Sequence, residues 1–375
     1  MKDDLFSVEE TSGVYGAKIK VFGVGGGGGN MINHMIREGE VRIDLIAANT
    51  DAQALDKSQA ASKIQLGSTT TRGLGAGMQP EVGAAAAEES REVIKNTIGD
   101  SDIVIIAAGL GGGTGTGAAP VIARTAKESR ALTIGVVTTP FEFEGKKRMK
   151  LALQGAEELK KECDSLIVIQ NQKLLNIIDK NVGMRESFKK VDSILARAVS
   201  SLSSIILDNG VINLDFSDIK KVMGYRGLAL IGVGQAQGED AAKDAVNDAT
   251  QSPLLNDMSI NGAMGVLILF RLHPDYPLNG INEAMKIVHS SANPEAEIIW
   301  GTMYNEDAPI DEIEVMLIAT GFDIKKDEVI EESVKAAKNP IEERILKMRK
   351  ASGFDCDATY EELENIPSFI RDSMD

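Results

Sequence analysis

The sequence predicts an α/β protein: a parallel sheet covered by helices, joined through one long helix to a smaller α/β domain, with a disordered linker and tail at the C-terminus. Three observations predict it. Near-continuous apolar runs (DIVIIAAG, ALTIGVVTT, DSLIVIQN) alternate with helical patterns from about Ala17 to Ile178, and strands apolar on both faces, separated by helices, belong to parallel sheets. From Gly183 to Asp208, Phe188, Val191, Ile194, Leu195, Ala198, Val199, Leu202, Ile205 and Ile206 fall at helical spacing. After Gly227 a second set of strand and helix patterns runs to Phe322, and from Asp323 charge dominates.

In chain order, AKIKVFGVG reads as a strand, NMINHMIRE as a helix and RIDLIAANT as a strand. GAAAAEESREVIKNTIG reads as one good helix, rich in Ala, Glu and Lys. The long helix spans roughly 35 Å at 1.5 Å per residue and stops at DNG. Strands at GLALIGVGQAQ, GAMGVLILFRL, EAEIIWGTMYN and EIEVMLIATGF alternate with helices at GEDAAKDAVNDAT and GINEAMKIVHSS. The expected division is an N-terminal extension (1–16), a first domain (17–182), the long helix (183–208), an acidic loop and following helix (209–226), a second domain (227–322), a charged linker (323–360) and a tail (361–375). The tail regains Ile366, Phe369 and Ile370 after the polar linker. Such a cluster on a tether suits a segment that orders on a partner; the alternative is a frayed end.

Composition narrows the classes. The 375 residues carry a net charge of −16, which repels a phosphate backbone and argues against nucleic acid. No apolar run approaches the 18 residues of a membrane span, and MKDDLFSVEE lacks the basic-then-apolar layout of a signal peptide. Cys163 and Cys356 build no disulfide framework, and a reduced, cytoplasmic setting is expected. The three histidines, His34, His273 and His289, show no metal-ligand spacing, so no protein-built metal site is expected.

Two glycine-rich stretches carry the chemistry. GVGGGGGN (Gly23 to Asn30) precedes a helix, and GLGGGTGTGAAP (Gly109 to Pro120) places six glycines and two threonines in its first nine residues. Both follow strands, so in a parallel sheet both face one edge. Converging backbone N–H groups and helix N-termini suit a di- or triphosphate, and Thr114 and Thr116 add hydroxyl donors. Gly23, Gly25 and Gly28 also fit a dinucleotide fingerprint, with Asp44 and Asp51 near the distance of a ribose-binding acid. The GxxxxGK[ST] phosphate loop and an NKxD guanine motif are absent.

GGGTGTGAAP is similar to the signature of the tubulin superfamily. The segments NTDAQAL (Asn49 to Leu55), TRGLGAGMQPEVG (Thr71 to Gly83), TTPFEFEGKKR (Thr138 to Arg148), NLDFSD (Asn213 to Asp218) and IPSFIRD resemble its FtsZ family of bacterial cell-division GTPases. The match runs in order from about Ala17 to Phe322, plus the tail. The first domain is then expected to bind GTP or GDP. The resemblance implies that Gly26, Gly27, Gly28, Gly29 and Asn30 hold the nucleotide. Gly113, Thr114, Gly115 and Thr116 wrap the phosphates, and Gly75, Ala76 and Gly77 close over the γ-phosphate. Glu144 and Arg148 meet the ribose and phosphate region; Asn171, Phe188 and Asp192 read and stack the guanine. By themselves Phe188 reads as a core anchor and Asp192 as a solvated acid; one turn apart they can point one way, and a carboxylate suits the paired N–H donors of guanine. Leu110 stands where Met is usual, Gly29 replaces a frequent Asn, and Ser193 stands where an amide is often found.

Asn213, Asp215 and Asp218 are the candidates for placing the attacking water. By themselves Asp215 reads as an N-cap and Asp218 as a first-turn acid; the resemblance gives them the catalytic role. The resemblance places them at the far end of the long helix from the nucleotide, and a helix of about 35 Å argues the same, so they would act on the nucleotide of the next subunit. Head-to-tail filaments follow. Mg²⁺ is the expected phosphate-bound ion. Membrane-tethering and regulatory division proteins are the partners expected at Ile366 to Arg371, without direct membrane insertion, at the midcell division site. Two other readings stay open: an NAD(P)-dependent oxidoreductase, resting on the first glycine stretch alone, and a non-catalytic filament protein that holds nucleotide permanently.

Overall fold

A computed structural model describes residues 17–39, 43–175, 182–207, 216–225, 227–252, 255 and 260–322. Ten strands form one sheet in the order β3-β2-β1-β4-β5-β6-β7-β10-β8-β9. The first six are β1 (Ile19–Val24), β2 (Asp44–Asn49), β3 (Ser62–Gln65), β4 (Ile103–Gly109), β5 (Leu132–Thr139) and β6 (Ser165–Gln170). All their pairings are parallel. The apolar runs explain why: every residue of β5 is buried, and in β4 only Gly109 is not.

The sheet continues through a short parallel pairing of Ser165–Ile167 with Gly227–Ala229 at the start of β7 (Gly227–Gln237). Beyond it, β10 (Glu312–Thr320) lies antiparallel to β7 and to β8 (Gly265–Leu272), and β9 (Glu297–Tyr304) closes the edge parallel to β8.

Helices cover both faces. On one lie α1 (Gly25–Arg37), α8 (Met184–Leu207) and α9 (Phe216–Met223). Met31, Ile32 and Met35 of α1 share a core with Val191, Leu195, Val199 and Leu202 of α8. On the other face, α3 (Pro80–Glu89), α4 (Arg91–Ile98), α5 (Thr114–Glu128) and α6 (Lys146–Glu162) pack over Phe22, Ile46 and Ile106. Cys163 belongs to this second core, where burial pushes its thiol pKa well up. Two short helices, α2 (Ala52–Asp56) and α7 (Asn171–Leu174), follow β2 and β6. In the second half, α10 (Ala241–Thr250) and α11 (Leu278–Ser291) alternate with the strands.

Three elements differ from the sequence expectation. The stretch GAAAAEESREVIKNTIG is two helices, not one: the chain turns at Ser90, whose hydroxyl accepts a 3.0 Å bond from the Gly67 N–H. A side chain engaged by a neighbouring loop interrupts a segment of good helix propensity. The glycine run after β1 is not a loop ahead of a helix but the first turns of α1 itself. Likewise α5 begins at Thr114, inside the second glycine stretch, and carries Pro120 within it. The expected linker and tail, with Ile366 to Arg371, lie outside the described residues.

Candidate functional site

The chain leaves β1 toward β2 on one side and β4 toward β5 on the other, so the crevice at the carboxyl ends of β1 and β4 is a topological switch point. Both glycine stretches lie there. Gly25, at φ +71°, opens α1, and a methyl group on it would sit 3.0 Å from the Gly115 nitrogen in the first turn of α5. Neither helix has a side-chain cap or an acid in its first turn. By contrast α2, beside them, is capped by the Asp51 carboxylate, which accepts from the N–H groups of Gln53 and Ala54. Two abutting helix N-termini with unsatisfied amides form a cradle for an anion. Next to it is a cleft of about 250 Å³ lined in part by Gly25, Gly26, Asn30, Asn49 and Asp51.

The expected phosphate residues divide into those facing the cradle and those supporting it. Gly26, Gly29 and Asn30 lie on the outer side of α1, with open space beside Gly26 and Gly29, and Gly27 is half-buried. Gly28 faces inward: a methyl group on it would lie 2.3 Å from the Ala107 carbonyl oxygen, so its small size lets α1 rest on β4. Gly115 packs in the same way against Gly109. Thr116 is 2 % exposed, and its hydroxyl oxygen accepts a 2.8 Å bond from the Gly111 N–H. It holds the turn together from within rather than pointing outward. The Gly113 N–H is spent on the Gly77 carbonyl at 2.8 Å. That bond fixes the loop of Gly75, Ala76 and Gly77 beside the cradle, with Ala76 buried and Gly77 exposed. Thr114, half-buried at the mouth, bonds the hydroxyl of Thr50 at 2.6 Å.

Just past the carboxyl end of β5, Phe141 is buried and meets Phe188 edge-on, with ring centroids 5.3 Å apart. Phe188 of α8 stays open, 38 % exposed, while Val191, Leu195 and Val199 go into the core. Glu144 accepts from the Phe141 N–H and pairs with Arg148. Asn171 is 6 % exposed, and its side-chain oxygen has no partner among the described residues. A buried acceptor without a donor is uncommon, and a ligand N–H is a fitting partner. Asp192 is half-buried; burial raises its pKa to about 6, with Arg37 pulling the other way. A desolvated carboxylate there suits paired ligand donors.

Of the water-placing candidates, Asn213 and Asp215 lie outside the described residues. Asp218 is exposed in the first turn of α9. From α9 the chain enters β7 at Gly227, which pairs with Ser165, the first residue of β6. The glycine stretches follow the last residues of β1 and β4. Asp218 therefore sits at the opposite edge of the sheet from the cradle.

Sequence reasoning passed over two supports. Thr50, fully buried just after β2, joins the start of α5 to the loop of Thr71 and Gly75. Glu89 accepts from the backbone N–H groups of Thr69 and Thr70 and from the Thr70 hydroxyl, which lower its pKa to about 2. The helical spacing around Glu89 gives no hint of these bonds; the NTDAQAL segment pointed at the neighbourhood of Thr50 but not at its role.

Residues 18–179 match the family model of the Tubulin/FtsZ family, GTPase domain, and residues 227–323 that of the FtsZ family, C-terminal domain. The chain belongs to the FtsZ family. It is 44% identical over 373 residues to the cell division protein FtsZ of Helicobacter pylori, strain J99, covering 98% of this chain and 96% of that protein. The structure resembles an empty FtsZ dimer of M. jannaschii, with a TM-score of 0.78 and 46% identity over 82% of this chain and 89% of that one. CetZ2 from Haloferax volcanii, at 20% identity and a TM-score of 0.71 over 87% of this chain and 99% of that one, shares the fold. A Tubulin/FtsZ GTPase domain implies guanine-nucleotide binding and removes the dinucleotide reading of the first glycine stretch. Among the described residues no helix is long and apolar enough to cross a membrane.

Proposed function

We propose that this chain binds GTP in the crevice above β1 and β4, polymerises head to tail, and hydrolyses GTP at sites completed between neighbouring subunits of a bacterial division filament. One observation carries the assembly dependence: Asp218 and the cradle occupy opposite edges of one sheet. A subunit stacked on the cradle edge of another would bring its acidic segment to the bound nucleotide. Repetition of that heterologous contact gives an open filament.

In this reading the first-turn amides of α1 and α5 and the Thr114 hydroxyl hold the phosphates. Phe188 stacks on the guanine, Asp192 accepts its N–H donors, and Asn171 satisfies its buried oxygen on the base. Glu144 and Arg148 flank the ribose. Asn213, Asp215 and Asp218 of the next subunit orient the water in line with the γ-phosphate and take its proton. Mg²⁺ would be held chiefly by phosphate oxygens and water, the coordination it favours; among the described residues no group of three His, Cys, Asp or Glu could hold a metal. The division of the chain at 183–226, docking of membrane-tethering and regulatory division proteins at Ile366 to Arg371, and placement at midcell complete the proposal.

The test is GTPase activity per molecule against protein concentration. Activity should be near zero in dilute monomer and rise once filaments form. Constant activity per molecule in monomeric samples would refute the shared site.

A further inference from the structure

We infer that Thr50 is a positioning residue for the terminal phosphate of the nucleotide: it fixes which proton Thr114 offers and ties the Gly75–Gly77 loop to the same point. The inference rests on the guanine-nucleotide reading of the crevice. Thr50 is completely buried. Its hydroxyl bonds the Thr114 hydroxyl at 2.6 Å and has no other partner among the described residues. A buried hydroxyl proton needs an acceptor. Thr114 Oγ1 is the acceptor in reach, so Thr50 donates and Thr114 receives. The Thr114 proton is then free to point out of the half-buried mouth toward a phosphate oxygen. A hydroxyl that accepts one bond while donating another is also the stronger donor.

The main chain of Thr50 serves the loop. Its carbonyl accepts from the Gly75 N–H at 3.3 Å and shares the single proton of the buried Thr71 hydroxyl, 3.2 Å away, with the Gly67 carbonyl at 2.9 Å. The circle closes where the Gly113 N–H donates to the Gly77 carbonyl. One residue just after β2 therefore sets the relative position of the α5 N-terminus and the loop beside it. A triphosphate, which reaches both, should depend on that alignment. A diphosphate, held by the amides of α1 and α5, should depend on it much less.

The experiment compares equilibrium binding of a slowly hydrolysed GTP analogue and of GDP to dilute wild-type, Thr50→Val and Thr50→Ser protein. Thr50→Val keeps the volume and removes the hydroxyl. It should lose about tenfold in triphosphate affinity while GDP affinity stays within about twofold, the loss expected for a hydrogen bond in a charged network. Thr50→Ser, which keeps the hydroxyl, should restore the wild-type ratio. Thr71→Val leaves Thr50 in place and cuts one tether of the loop; it should shift the ratio in the same direction by a smaller factor. An unchanged ratio in a folded Thr50→Val overturns the inference, as does an unchanged ratio in Thr71→Val should Thr50→Val not fold. Equal loss of both nucleotides overturns it too. Wild-type protein that binds neither nucleotide overturns the guanine-nucleotide reading and the inference together.

Discussion

The ring of Phe188 meets the buried ring of Phe141 edge-on, 5.3 Å between centroids and 87° between planes. This contact steadies an aromatic that otherwise faces water. The bound base should cover its open face. Stacking of a base on an aromatic side chain contributes about 1–3 kcal/mol, so Phe188→Ala should weaken GTP and GDP alike by about 5- to 150-fold. Because 38 % of Phe188 already faces water, the melting temperature without nucleotide should change little. Titration calorimetry beside a thermal melt separates the two. A large drop in melting temperature with unchanged nucleotide affinity would make Phe188 a core residue instead.

In the proposed role, Asp192 should give nucleotide binding a pH dependence. Its pKa is raised to about 6 in the folded protein because burial disfavours the carboxylate, against about 3.9 in the unfolded chain. Between those values the folded state binds more protons than the unfolded one, so stability without nucleotide falls as pH rises from about 4 to about 6. Guanine donors favour the ionised form, so nucleotide binding should release a proton in that window. GTP affinity should therefore rise with pH up to about 6 and level off above it. Asp192→Asn should bind guanine nucleotide weakly and show a flatter profile. Affinity that climbs on acidification would contradict this role.

What the sequence revealed and what it hid follow from the range of the interactions. The apolar runs of β4 and β5 announce buried parallel strands because both faces are covered. The periodicity of α8 shows which residues enter the core. The turn at Ser90 could not be read, since it depends on the N–H of Gly67, 23 residues away. The entry of α1 into the glycine run was equally hidden: glycine disfavours helix, and only the close seat of Gly28 on the Ala107 carbonyl makes it worthwhile. At the site, residue types and motif order pointed to the glycine cradle and to the cluster of Asn171, Phe188 and Asp192. They could not separate Thr114, at the mouth, from Thr116, whose hydroxyl is turned onto Gly111.

The glycines of α1 should respond to alanine in opposite ways. A methyl at Gly28 would lie 2.3 Å from the Ala107 carbonyl, whereas one at Gly26 meets nothing within 4 Å. Gly28→Ala should be destabilised by about 1–3 kcal/mol through overpacking. Gly26→Ala should melt at or slightly above the wild-type temperature, since alanine is about 1 kcal/mol better than glycine within a helix. If Gly26 borders the phosphates, that same stable variant should bind GTP less well. Denaturant melts and nucleotide titration of both proteins check the pair, and equal melting temperatures would contradict the packing argument.

Asp218 provides the sharpest test of shared catalysis, because it is exposed and carries no hydrogen bond or ion pair to another described residue. Asp218→Ala should fold, bind GTP and assemble, but turn GTP over about 10²- to 10⁴-fold more slowly, the usual range for a general acid or base. The defect should be transferable. Mixed with a Phe188→Ala variant that binds nucleotide poorly but keeps its acids, the Asp218→Ala protein should regain turnover, since its own bound GTP then meets an intact neighbour. Pelleting assays report assembly and phosphate release reports turnover. Asp218→Ala filaments that hydrolyse GTP at the wild-type rate would remove this residue from the mechanism, and a slow variant that no partner rescues would mean the acid serves its own subunit.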